Sequence, residues 1–217
     1  MTAALLFLKH RLPLLWRVVE WANAVLFAAL HRQRLQRQAE RSLQAFGLEP
    51  YTFRTLTESD MPALERLIDR QGAARLEHFK PHGFDEASLR RVHRNPSFLM
   101  FGVFDGSDLV GYFFLRCFWT RRCFVGRLID RPHEGRGIGR VMNSIMYTTA
   151  WRSGFRCMTT VSKKNAMIMR SHANNPAAVV RKTLPNDYLL IEFVEPGEPA
   201  ASPGGPRGAR STRGDAQ

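Results

Sequence analysis

The chain has 217 residues, of which 44% are hydrophobic, 24% charged and 11% aromatic. This composition is typical of a globular protein and excludes collagen-like, disulfide-rich and wholly disordered classes. The three cysteines, Cys117, Cys123 and Cys157, form no Cys-x-x-Cys pair, which excludes a zinc ribbon and a thioredoxin-like site. We therefore expect a reducing compartment, buried thiols and no metal site.

The formal net charge of +13 is unevenly distributed along the chain. Residues 1–45 contain seven basic and two acidic residues, whereas basic and acidic residues balance in 195–217. The middle, 46–194, therefore carries a net charge of +8. A basic middle suits an anionic ligand, which could be a phosphate, a nucleic acid or a lipid headgroup, and charge alone does not choose among them.

Composition also predicts three regions in the chain. Residues 1–45 read as a basic, amphipathic helical extension and 46–194 as the folded domain. Residues 195–217 are rich in Pro, Gly and Arg and contain no aromatic or branched aliphatic residue, which predicts a disordered tail. Because this tail has no interleaved aromatic residues, we expect no nucleic-acid partner.

The N-terminal extension is apolar but not a predicted membrane span. Its longest uncharged run, 21–30, is about half of the length that a span needs, and its basic residues lie inside the apolar stretch, unlike those of a secretory signal. At 100° per residue its polar side chains share one arc, and a basic segment, 31–37, continues the same helix. The extension could dock on a membrane surface or a partner helix, or pack on its own domain. We expect a cytoplasmic protein, with a possible peripheral contact to the inner membrane face.

The folded domain alternates between strand and helix patterns. Thr57 and Asp60 have the spacing of a helix cap before an apolar helix, and 105–108 has the sequence of a hairpin turn. Together these patterns predict an α/β fold in which helices flank a mixed sheet. The predicted strands are 51–56, 98–104, 109–118, 123–130, 157–161, 179–184 and 188–194, and the predicted helices follow Thr57 and Gly139 and span 85–94 and 164–173.

The most informative stretch is 129–140, where a strand leads through a glycine-rich turn into a helix. This arrangement presents unpaired amide N–H groups at the positive end of a helix, which favours an anionic phosphate. Gly135, Gly137 and Gly139 do not fit a Walker loop, because Gly139 is followed by Arg140 and Val141. They do not fit a Rossmann fingerprint either, because its third glycine position is Arg140.

The turn resembles the coenzyme A pyrophosphate loop of the GNAT superfamily of N-acetyltransferases, whose pattern is Arg/Gln-x-x-Gly-x-Gly/Ala after the fourth strand. Gly137 and Gly139 match its glycines, and Asn165 matches an asparagine that opens the last helix of the family. The resemblance extends over about 51–194 and implies a GNAT-like acyl-CoA N-acyltransferase fold with an extra N-terminal amphipathic helix. It also implies acetyl-CoA as the acyl donor. The implied cofactor-binding residues are Leu128, Ile129, Glu134, Gly135, Arg136, Gly137, Ile138, Gly139, Arg140 and Asn165.

The sequence departs from the family pattern at two positions. Glu134 stands where the family has arginine or glutamine, so its side chain must turn away from the phosphates. His172 stands where the family has a tyrosine that often protonates the departing coenzyme A thiolate. A histidine can do the same, so we expect His172 to act as the acid. The usual Gly-Phe after this helix is also replaced, by residues 174–176.

The resemblance implies an enzyme that transfers an acetyl group to a primary amine. The amine must lose a proton, and Asp130 is the candidate base because it follows the strand that the thioester would contact. The family takes its oxyanion donors from the backbone of this strand, which corresponds to 128–130. An amino sugar, another small-molecule amine or a protein could be the acceptor. The alternative function is a non-catalytic coenzyme A-binding or membrane-surface adaptor module.

Overall fold

The computed structural model describes residues 13–77, 79 and 81–197, and these form a seven-stranded mixed sheet with helices on both faces. The strands are β1 (Thr52–Thr55), β2 (Phe98–Asp105), β3 (Asp108–Cys117), β4 (Arg122–Ile129), β5 (Arg156–Ser162), β6 (Ala178–Leu184) and β7 (Tyr188–Phe193). The helices are α1 (Pro13–Leu30), α2 (Arg32–Ala45), α3 (Met61–Asp69), α4 (Ala73–Leu76), α5 (Glu86–His93), α6 (Ile138–Arg152) and α7 (Ala166–Ala173).

The strand order is β1-β2-β3-β4-β5-β7-β6, and all neighbours are antiparallel except β4 and β5. The parallel pair is joined through α6, as a strand–helix–strand crossover requires. The predicted mixed α/β sheet is therefore confirmed. The predicted strands match the observed ones to within a few residues at each end.

Each face of the sheet has its own apolar core. In β3, Phe113 and Leu115 belong to the core under α2 and α6, whereas Tyr112 and Phe114 belong to the core under α3 and α5. This alternation follows from the two-residue period of a strand. Because both faces are covered, the central strands read as almost continuous apolar sequence. We call the two sides of the sheet the α6 face and the α3 face.

Several local predictions are confirmed by contacts. Thr57 and Asp60 form a reciprocal capping box, and the Asp85 carboxylate accepts a hydrogen bond from the Ser88 amide at 2.8 Å. The three cysteines are buried and unpaired in the sheet. The short helix α4 had no sequence prediction, since 70–84 shows no clear periodicity.

The N-terminal region differs from the sequence expectation. The predicted continuous helix is broken at His31, where α1 ends and α2 begins. Leu35 and Ala39 of α2 are buried in the α6-face core, together with Phe27 of α1. Packing of this part of the extension on its own domain is one of the alternatives that the sequence leaves open.

The remaining expectations about the two ends concern residues 1–12 and 198–217, which lie outside the described residues. Among the helices described, none combines the length and the apolar character needed to cross a bilayer.

Candidate functional site

A gap opens in the sheet between β4 and β5. The two strands pair only where Arg122–Phe124 lie beside Arg156–Met158. Beyond that point β4 continues to Ile129 beside β3, and β5 continues to Ser162 beside β7. Five residues of β4 therefore line one side of a wedge, which at 3.3 Å per residue is roughly 16 Å long.

The backbone of β4 offers hydrogen-bonding groups to this gap. The Asp130 amide donates to the Val110 carbonyl of β3 at 2.8 Å, so alternation of the antiparallel ladder directs the backbone groups of Leu128 to β3 as well. The groups of Arg127 and Ile129 point the other way, into the gap. Of the predicted oxyanion donors in 128–130, only Ile129 directs its amide there.

The glycine-rich loop lies at the open end of the gap, between β4 and α6. Gly135 and Gly137 have φ values of 74° and 88°, a left-handed conformation that favours glycine. The Glu134 and Arg140 amides donate to carbonyls within the loop. The five consecutive amides of 135–139 have no hydrogen-bond acceptor anywhere in the described part of the chain.

Tyr51, just before β1, holds the loop in place. Its hydroxyl oxygen accepts a hydrogen bond from Arg136 Nη1 at 3.2 Å and lies 3.2 Å from His133 Nδ1. Ile138 is buried in the α6-face core and fixes the start of the helix. These contacts hold the loop in position and leave the N–H groups of 135–139 free.

Glu134, the acidic residue that differs from the family pattern, forms an ion pair with Arg75 of α4. The Arg75 side chain is 13% exposed, and its Nη2 also donates to the Ile129 carbonyl at 2.7 Å. Arg75 thus neutralises the negative charge beside the loop and covers one backbone acceptor at the edge of the gap. No local sequence pattern indicates this pair, because its partners are 59 residues apart.

A half-buried arginine lies on the α6 face of the gap. Arg127 donates from Nε to Asn143 Oδ1 at 3.0 Å and from Nη2 to Ser171 Oγ at 3.2 Å, which links β4 to α6 and α7. Burial lowers the pKa of Arg127. None of the ion pairs in the described residues gives it a carboxylate partner. A Cβ atom on Gly139 would lie 2.8 Å from its Nη1, so this glycine makes room for the guanidinium.

His172 lies on the last turn of α7, on the same face as Arg127. Its ring packs against that of Phe193, with centroids 5.4 Å apart. Burial, with a smaller contribution from the positive charge of Arg127, lowers the pKa of His172 from 6.5 to about 4. The imidazole is therefore neutral near pH 7, and its role as a proton donor stays a prediction.

Asp130 lies on the other side of the gap, against the C-terminal end of α3. Its carboxylate accepts hydrogen bonds from Gln71 Nε2 at 2.9 Å and from the Arg131 amide at 3.0 Å, and it pairs with Arg70 at 3.1 Å. The structure thus gives it structural partners and separates it from His172. Its role as the base stays a prediction.

Two further features surround the gap. Asn165 caps α7, since its Oδ1 accepts from the Ile168 amide at 3.2 Å. On the α3 face, a Cβ atom on Gly126 would lie 2.7 Å from Phe114 and 3.4 Å from Phe79, so aromatic rings cover β4 closely. Phe79 and Phe84 stack with centroids 6.4 Å apart and extend this aromatic surface.

Several solved structures share this architecture, and one of them is a GNAT domain. The GNAT domain of PAT from S. lividans superposes with a TM-score of 0.57 at 13% identity, covering 65% of this chain and 88% of that one. The paia N-acetyltransferase of Thermoplasma acidophilum, solved with coenzyme A, gives 0.56 at 14% identity, over 67% and 99% of the two chains. The chain has the GNAT fold.

A third structure, yncA of Salmonella typhimurium with acetyl-CoA, gives a TM-score of 0.53 at 18% identity and covers 70% of this chain and 96% of that one. No family model and no curated protein matches the sequence. The GNAT fold expected from the glycine-rich loop is therefore confirmed by the structural comparison.

Proposed function

We propose that this protein is an acetyl-CoA-dependent N-acetyltransferase whose acceptor is a primary amine. The observation that carries the proposal is the run of five free amides in 135–139, at the N-terminus of α6 and the open end of the β4–β5 gap. Two of the structures with this fold contain coenzyme A or acetyl-CoA, which supports the choice of ligand.

The loop fits the diphosphate of coenzyme A. Amides at a helix N-terminus donate to an anion and add the favourable helix dipole. Arg136 and Arg140 are exposed beside them and raise the local positive potential. Because Glu134 is paired with Arg75, its charge is directed away from the phosphates. The amides of 135–139 thus take the place that the family pattern gives to the pyrophosphate loop.

The gap fits the extended pantetheine arm. Arg127 directs its amide and its carbonyl into the gap, and Ile129 directs its amide there, so amide groups of the arm can pair with β4 as a neighbouring strand would. An acyl group at the end of this arm would lie in the wedge beside β4, where the amides of Arg127 and Ile129 face the gap. A protein N–H near that point could stabilise the oxyanion of acyl transfer.

We propose that two side chains, His172 and Asp130, take part in proton transfer. His172 is neutral near pH 7, so little of it is in the protonated imidazolium form. We propose that the N–H of the neutral ring donates a hydrogen bond to the departing thiolate. Asp130 is proposed to accept the proton of the attacking amine, directly or through water. Its contacts with Gln71 and Arg70 fix the position of its side chain.

Calorimetric titration with acetyl-CoA tests cofactor binding, and a panel of amino sugars and other primary amines with thiol detection tests turnover. The proposal predicts saturable binding of acetyl-CoA and acceptor-dependent release of coenzyme A. Binding without thiol release from any amine would instead support a non-catalytic coenzyme A-binding module. A lack of binding would contradict both.

A further inference from the structure

The orientation of helix α1 is the reverse of that of an ordinary amphipathic helix on a globular domain. Two of its polar side chains face the body: Glu20 pairs with Arg116 at 3.0 Å, and Asn23 Nδ2 donates to the Cys117 carbonyl at 3.2 Å. Phe27 is the buried apolar anchor on this side. A surface helix normally buries its apolar stripe and exposes its polar one.

The apolar stripe of α1 faces away from the domain. Val18, Trp21 and Val25, spaced three and four residues apart, are 57%, 67% and 47% exposed. Of the eight large apolar side chains exposed in the described residues, six lie on this helix. Those six are Val18, Val19, Trp21, Val25, Leu26 and Leu30. Such a concentration marks an interaction surface. We call it the α1 face.

A second aromatic residue lies at the same end of the molecule. Trp119 is 49% exposed and belongs to the turn between β3 and β4. Its amide donates to Asn23 Oδ1 at 3.1 Å, and its carbonyl lies 3.0 Å from His31 Nε2. The α1 helix and this turn therefore present tryptophan rings from one connected surface.

Positive charge borders the α1 face. Arginines follow its C-terminal end directly and also follow Trp119, and all of them are exposed. The acidic residue on α1, Glu20, lies on the body side in an ion pair, and α2 adds a single glutamate, Glu40. These exposed arginines are Arg32, Arg34, Arg37, Arg41, Arg121 and Arg122.

We propose that the α1 face binds an anionic lipid surface, with Trp21 and Trp119 at the headgroup level. An apolar helix face bordered by arginines and tryptophans has the chemistry of an interfacial helix. A second copy of the chain would bring the same arginines into proximity, which disfavours self-association through this face. The inference does not depend on acetyl transfer.

Vesicle flotation of the full chain tests the proposal. Vesicles of phosphatidylcholine alone are compared with vesicles of equal parts phosphatidylcholine and phosphatidylglycerol, at low and high salt. We expect binding to the anionic vesicles that weakens at high salt. The double variant Val18→Gln/Trp21→Gln should bind at least about tenfold more weakly, because it removes apolar area that the lipid would bury.

The chain provides a matched control for this substitution. Val180 on β6 is 57% exposed, as Val18 is, and lies outside the α1 face. Val180→Gln should leave vesicle binding unchanged, and Val25→Gln gives a second test within the face. Urea unfolding midpoints of all variants should equal that of the wild type, since the side chains are exposed.

Four results would overturn the proposal. One is a wild-type protein that does not float with anionic vesicles. Another is an equal loss of binding in Val180→Gln. The third is a wild-type dimer that becomes monomeric in the double variant, which would assign the face to a second copy. The fourth is a clearly lower unfolding midpoint in the α1 variants, which would show that the chain itself covers the face.

Discussion

Replacement of Gly137 by valine should abolish tight binding of coenzyme A without unfolding the protein. Gly137 precedes α6 with a φ of 88°, and valine there is a conformational outlier. The backbone must rotate away from the left-handed region, which turns the following amides of Ile138 and Gly139 away from the site. Steric crowding is not the reason for the expected loss of binding, because the atom nearest to a Cβ at residue 137 would be Leu48 Cδ2, at 3.6 Å.

The expected magnitude follows from the number of amides displaced. A hydrogen bond to a charged group contributes about 1.5–3 kcal/mol. Loss of one or two of the five therefore costs about 1.5–6 kcal/mol, which corresponds to a roughly 10- to 25,000-fold increase in the dissociation constant. Calorimetric titration of coenzyme A into wild type and variant measures this change.

Gly154, just beyond the other end of α6, provides the matched control. It has a φ of 79°, and a Cβ there would meet nothing within 4 Å. Gly154→Val should cost about as much folding stability as Gly137→Val, while leaving coenzyme A affinity unchanged. If Gly137→Val binds coenzyme A within threefold of the wild type, the loop amides do not hold the diphosphate and the reasoning is refuted.

Three further predictions concern charged groups of the site. Glu134→Gln removes a negative charge beside the loop and should tighten coenzyme A binding about threefold at low salt, with the gain disappearing at high salt; weaker binding would contradict this. The pKa of His172 is depressed to about 4, so the unfolded chain binds its proton more tightly and the free energy of unfolding rises between pH 4 and 6.5. Urea titrations should show a smaller rise over this range in His172→Gln, and an identical slope would show that the histidine is not buried. Asp130→Asn should lower the unfolding midpoint, because it loses the ion pair with Arg70, and should slow acetyl transfer at least about a hundredfold; a near-wild-type rate would exclude it as the base.

Local sequence signals were sufficient for most of the sheet and for the loop. The glycines at 135, 137 and 139 follow a strand pattern and precede an apolar helix, and each of these elements forms where its own residues favour it. The capping box at Thr57 likewise depends on two residues three positions apart. Such features can be predicted because their partners are close in the chain.

The parts that were not predicted depend on distant partners. Arg75 and Glu134 are 59 residues apart, and nothing local in 70–84 indicates that α4 brings them together. The orientation of α1 could not be derived from its amphipathic pattern either. That pattern fits a helix with either side facing the body, and the choice is made by Arg116 and the Cys117 carbonyl, which Glu20 and Asn23 contact.

The candidate catalytic pair shows the same limit. A family pattern indicates His172, and chain proximity to a strand indicates Asp130. The structure places them on opposite sides of the gap, with the half-buried Arg127 beside His172. The charge of Arg127 could be read from the sequence, but its burial and its contacts to Asn143 and Ser171 depend on how two helices pack over β4.

The most direct measurement of the central claim is an amide NMR titration of the isotope-labelled full chain with coenzyme A. If consecutive free amides hold the diphosphate, the signals of 135–139 shift most strongly and saturate together with binding measured by calorimetry. The amide of Gly154, at the other end of α6, stays unchanged. Saturable binding that leaves the signals of 135–139 in place would contradict the account.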